Sequence, residues 1–101
     1  MIRQDFSING WWDVVVCYDV ELGELNAGFT HTNFKKKLSI IGVGKATSKK
    51  QFFNTIIHEA KHLQSHICMY YDIPEDGEQA AYLIGYIAMK IYKPISKYLC
   101  Q

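Results

Sequence analysis

Five consecutive residues, His58-Glu59-Ala60-Lys61-His62, set two imidazoles four positions apart, with a carboxylate directly after the first. On a helix, positions i and i+4 share a face about 6 Å apart. Two imidazoles held so can bind one tetrahedral Zn²⁺ at about 2.0–2.1 Å each. Glu59 lies about 100° round the wheel from His58. From there its carboxylate reaches a metal-bound water rather than the metal, the general-base position of a zinc hydrolase. The competing reading is a wet helix face with two solvated histidines beside Gln51, Asn54, Lys61 and Ser65.

A catalytic zinc site needs a third protein ligand and one open position. The remaining candidates are His31, His66, Glu75, Asp76 and Glu78. Glu78, sixteen residues after His62, is selected. It is the acid of an otherwise apolar helical segment and shares a face with Tyr82, Gly85 and Met89. A carboxylate beside a buried face needs a partner, and a cation supplies one. Its other explanation is a first-turn acid favouring the helix dipole, worth about 0.3–1 kcal/mol. His66 has turned about 80° from His58 by its place on the wheel, which strains a three-histidine face.

These residues must be positioned by a fold of two unlike halves. Residues 1–45 read as strands and turns, and residues 48–93 as two helices. Asn9-Gly10 is a hairpin signal, because both central positions of a type I′ turn need φ > 0. The β-branched and aromatic run Val14-Val15-Val16-Cys17-Tyr18 follows it as a strand. Residues 26–32 and 37–44 form a second expected hairpin around Asn33-Phe34-Lys35. Gly42 and Gly44 either weaken its last strand or let another backbone approach. Ser48-Lys49-Lys50-Gln51 fits a capping box. The helix it opens, 48–71, carries Phe52, Ile56, Ala60, Leu63 and Ile67 on one face. Residues 72–77 turn, Asp76 is the expected cap of a second helix over 77–92, and Pro94 ends it. That second helix is apolar nearly all round and is expected to be the buried one. Strands followed by helices predict an α+β domain with a small antiparallel sheet of three to four strands. If the first helix runs to Tyr71, His62 lies about 13 Å before its end and a tight hairpin leaves Glu78 short of it, so either that helix stops nearer Ile67 or residues 68–77 fold back along it and the second helix crosses it steeply.

With 101 residues the chain is expected to be one domain, 1–101, with room for a single modest core. Charged residues at 21% against 49% hydrophobic favour a folded chain. A net charge of +1 and short lysine runs at Lys35–Lys37 and Lys49–Lys50 argue against a nucleic-acid partner. Cys17, Cys68 and Cys100 are odd in number and form no C-x-x-C pair, so small buried or half-buried thiols in a reducing compartment are expected. Met1–Asp5 lacks a basic region followed by an apolar run, and no apolar stretch reaches the roughly 18–20 residues of a membrane span. A cytoplasmic location follows as the expectation.

His58–His62, with Glu78 followed by Gln79-Ala80-Ala81-Tyr82, resembles the gluzincin arrangement of H-E-x-x-H on one helix and a glutamate ligand on the next. The chain is similar to minimal gluzincins and to small H-E-x-x-H proteins of phages and mobile elements, and more loosely to the ImmA/IrrE-type metallopeptidase domain. The resemblance covers about residues 26–92, and its specific part is the H-E-x-x-H stretch. It implies a zincin-like fold and a zinc metallopeptidase, with His58, His62 and Glu78 as ligands and Glu59 as general base and acid. It also implies a peptide or protein substrate laid along an edge strand beside the helix, taken here as 37–44. Tyr82, one turn after Glu78, is the candidate oxyanion partner, against plain core packing. Lys61 departs from relatives that carry a small or apolar residue there, and a second lobe to wall the cleft is missing. The alternative to an enzyme is a zincin-like binding or structural module, with Trp11, Trp12, Tyr70 and Tyr71 as contact surface or a zinc that staples the core.

Overall fold

The computed structural model describes residues 2–20, 27–45 and 48–93. Six elements follow in order: β1 (Ile2–Ile8), β2 (Trp12–Val20), β3 (Gly28–Asn33), β4 (Leu38–Gly44), α1 (Lys49–Tyr71) and α2 (Glu78–Tyr92). The arrangement is α+β, as expected. Asn9 and Gly10 both take positive φ, 53° and 79°, and Trp11 N–H closes the turn on Ile8 C=O at 3.1 Å. The expected final turn after Pro94, the Gly23 turn and Cys100 lie outside the described residues.

The sheet corrects one expectation. Its order is β1-β2-β4-β3, with β1–β2 and β3–β4 antiparallel but β2–β4 parallel. It is therefore mixed rather than antiparallel. Composition explains the order. Leu38-Ser39-Ile40-Ile41-Gly42-Val43-Gly44 is nearly continuous in apolar and small residues, as suits a strand covered by neighbours on both edges. Gly28-Phe29-Thr30-His31-Thr32-Asn33 is half polar and suits an outer edge. The hairpin thus inserts its second strand into the sheet. Residues 37–44 are consequently not an edge strand: β4 is flanked on both sides, and the outer strand next to α1 is β3.

Both helices cover one sheet face. Ile8, Trp12, Val14, Val16, Tyr18, Ile41 and Val43 point into the core by strand alternation. They meet Phe52, Ile56, Ala60, Leu63 and Ile67 of α1, all buried as the helical wheel required. Ser48 caps α1 through Oγ, which accepts from Gln51 N–H at 3.1 Å. The helix runs its full length to Tyr71 and ends on Asp72, whose left-handed φ of 56° is tolerated by Asp and Asn.

Two expectations for α2 fail. Its cap is Gly77, without a side-chain bond, because the helix begins at Glu78 and leaves Asp76 one position outside. Nor is it the buried helix. α1 packs over β3 and β4 and buries a full face, whereas α2 buries one stripe, Ala80, Ile87 and Ile91, and leaves Met89 52% and Tyr82 73% exposed. Two contacts hold it in place. Gln64 Nε2–H donates to Ala80 C=O at 3.1 Å, and Tyr18 O–H donates to Ile91 C=O. Burial pushes the Tyr18 phenol well above its ordinary value, so it remains a donor.

Buried polar groups in this core are paired. Trp12 Nε1–H donates to Ser39 Oγ at 3.0 Å, and Ser39 and Thr32 hydroxyls share a bond of 2.7 Å. Ser39→Ala strands the fully buried indole N–H. We expect it to lower unfolding free energy by about 1–3 kcal/mol in urea denaturation with an unchanged slope. A loss within about 0.5 kcal/mol of zero would show that this bond contributes nothing net.

Candidate functional site

The H-E-x-x-H residues of α1 divide their side chains among four directions, with Ala60 buried in the core. His58 and His62 face solvent, with their Nε2 atoms 3.1 Å apart and ring centroids 4.7 Å apart. Two imidazole nitrogens this close share one proton or hold one cation between them. Glu59 instead turns toward β3 and is only 3% exposed. Its Oε1 accepts from Thr30 Oγ1–H at 2.8 Å. Gly28 on the same strand makes room for it. A Cβ there would sit 3.1 Å from Glu59 Cγ and Oε2, and 2.8 Å from Gly42 C=O. Lys61 points a third way. Its ammonium donates to Gln64 Oε1 at 2.7 Å and approaches Glu75 Oε2 at 3.4 Å, while Ser65 O–H donates to that same carboxylate oxygen at 3.1 Å. The departure at position 61 thus ties the turn after α1 back onto the helix.

The expected third ligand does not join the pair. Because α1 continues about 13 Å beyond His62, the chain reverses late. The Gln64–Ala80 bond seats the first turn of α2 on a flank of α1 roughly 200° round from His62. Glu78 is exposed on that flank. Tyr82 belongs to the same side and lines a cleft with Ile8 and Trp11, so the structure does not bring it to the histidines. Glu75 is taken by Lys61 and Ser65. His31 stacks edge-on with Phe29 at 5.2 Å, on the sheet face opposite Thr30 and Thr32. Among the described residues, no three His, Cys, Asp or Glu side chains form a group able to hold a metal ion.

Sequence reasoning missed Thr30, Thr32 and Gly28. The signal was the alternation Thr30-x-Thr32, which points both hydroxyls to one face of a strand. Thr32 Oγ1 lies 2.7 Å from His66 Nδ1, one step further along α1 than the Thr30–Glu59 contact. Two side chains of β3 therefore hold two polar side chains of α1, one of them inside the motif. No described helix is long and apolar enough to cross a membrane.

Set against protein-family models, curated proteins and solved structures, the chain matches none.

Burial, and secondarily the charge of His62, pushes the His66 imidazole below its ordinary value. The fold thus disfavours protonated His66, and the unfolded chain binds the extra proton more readily. Stability from this group is intact above the unfolded value of about 6.5 and falls as pH drops below it. In metal-free protein, the His66 ring resonances should titrate below about 6.5. His66→Asn should lose less stability than the parent chain between about pH 7.5 and 5.5 in urea denaturation. Equal losses in the two proteins would remove His66 as a source of acid sensitivity.

Proposed function

We infer that the chain is a zinc-dependent peptidase acting inside the cell, with His58 and His62 holding the metal and Glu59 as general base. The observation that carries this reading is the convergence of the two Nε2 atoms at 3.1 Å. Two nitrogens bound to one tetrahedral zinc lie about 3.3 Å apart, so the side chains fit two corners of such a site with a small adjustment. When bound, zinc lowers the pKa of its water and polarises a carbonyl. The remaining work belongs to protein groups. Thr30 holds the Glu59 carboxylate at a fixed orientation. Glu59 accepts the proton of the attacking water at a carboxylate oxygen and returns it to the leaving amine. The outer strand β3 offers main-chain pairing to an extended peptide beside α1, in place of residues 37–44. The cytoplasmic placement rests on the free thiols of Cys17 and Cys68.

A second reading, a binding module built on the same scaffold, is favoured by the position of Glu78 away from the pair. Metal content of untagged protein purified without chelator separates the two. We expect about one zinc per chain, lost in His58→Ala and in His62→Ala. Glu59→Gln should keep the zinc and lower hydrolysis of a peptide library by at least about 100-fold. Unchanged zinc in Glu78→Ala fits the arrangement described here, whereas its loss requires the first turn of α2 to move toward the histidines. A chain that takes no zinc on reconstitution sinks the peptidase reading.

A further inference from the structure

The far end of α1 from the histidines carries a second feature of a different kind. Trp11 at the β1–β2 turn, Ile73 and Gln79 line two adjoining open clefts of about 380 and 560 Å³, the larger bounded also by Tyr71, Asp72 and Pro74. They share Trp11, Ile73 and Gln79, so a chain lying in one passes into the other. These volumes fall in the range of ligand and side-chain pockets, roughly 300–1,000 Å³. Trp11 and Tyr71 meet edge to face at 5.0 Å and remain 36% and 37% exposed.

Charge decides what fits. Among the described residues no lysine, arginine or histidine lines either cavity, and Asp72 lines the larger one. Asp76 and Glu78 follow within the next six residues, and none of these three acids makes an ion pair among the described residues. The ring cluster already takes one cation: Lys37 Nζ stands 5.6 Å from the Tyr70 centroid and 5.9 Å from the Tyr71 centroid. Aromatic faces attract cations through their quadrupole, and a neighbouring carboxylate adds to that attraction. Gln79, with no side-chain partner among the described residues, offers an amide donor and acceptor to a passing peptide backbone.

We propose that this groove binds an extended peptide segment through a Lys or Arg side chain, seated against Trp11 and Tyr71 with its charge toward Asp72. The site lies about 13 Å along α1 from His62 and stands independently of the zinc reading.

The test uses the full chain labelled with ¹⁵N and three probes: acetyl-Ala-Arg-Ala-amide and its norleucine and glutamate counterparts. The two indole N–H resonances serve as site and control, because Trp12 is buried on Ser39 while Trp11 is exposed. The Arg peptide should shift the Trp11 indole saturably and leave the Trp12 indole in place. Norleucine should bind about five- to tenfold more weakly and the glutamate peptide more weakly still. Asp72→Asn keeps a residue that tolerates the left-handed cap, and should reduce the Arg peptide to the norleucine level. Equal binding of the Arg and norleucine peptides overturns the proposal, as does an unmoved Trp11 at saturating Arg peptide. A Trp11 resonance that moves with protein concentration alone assigns the groove to a second copy of the chain and overturns it too.

Discussion

The arrangement depends on how α1 is held against the outer strand β3. A core of apolar side chains fixes the distance of a helix from a sheet but leaves sliding and rolling cheap. Here two threonines on one face of β3 reach two polar side chains on one flank of α1, Thr30 to Glu59 and Thr32 to His66. Strand and helix run in the same direction between these contacts. Two directional bonds at separated points resist both sliding and rolling, which apolar contacts do not. The direction in which His58 and His62 face follows from that constraint, since both lie on the side of α1 that is left over.

Much of this was legible. The Asn9-Gly10 turn, the Ser48 cap and the buried face from Phe52 to Ile67 are local patterns, and local chemistry decides them. The two helices and four strands follow from period and breaker residues. What was not legible is competition between elements. Nothing within 77–92 announces that the longer helix takes the larger share of the core, so a nearly all-apolar segment reads as the buried helix although it packs on one stripe. Likewise β4 and β3 each look like a strand. Only comparison of their apolar content places one inside and the other at the edge, and that reverses the pairing with β2. For the candidate site, the histidine pair is a property of one helix and could be read directly. The position of Glu78 depends on where α1 stops and on Gln64, a residue with no chemical signature of its own.

The motif thus has a division of labour along a single turn and a half of helix. Positions 58 and 62 face water, 59 faces the strand, 60 enters the core, and 61 clasps the reversal that follows. A residue at 61 that could not reach Gln64 and Glu75 would leave the 72–77 turn tied to α1 by the Ser65–Glu75 and Ile73–Cys68 bonds alone.

The chain of groups from Trp12 through Ser39 and Thr32 to His66 has a further property, which comes from its first member. An indole nitrogen only donates, whereas each hydroxyl both donates and accepts. If every hydrogen in the chain is used once, the bonds run one way, from indole to Ser39, to Thr32, to Nδ1 of His66. The imidazole then keeps its own hydrogen on Nε2. With the bonds running that way, a tryptophan far away in sequence selects the His66 tautomer whose outer nitrogen has no lone pair for a metal. Three histidines stand at four-residue spacing on one helix, yet two of them face solvent while the third is tied through Nδ1 to the strand.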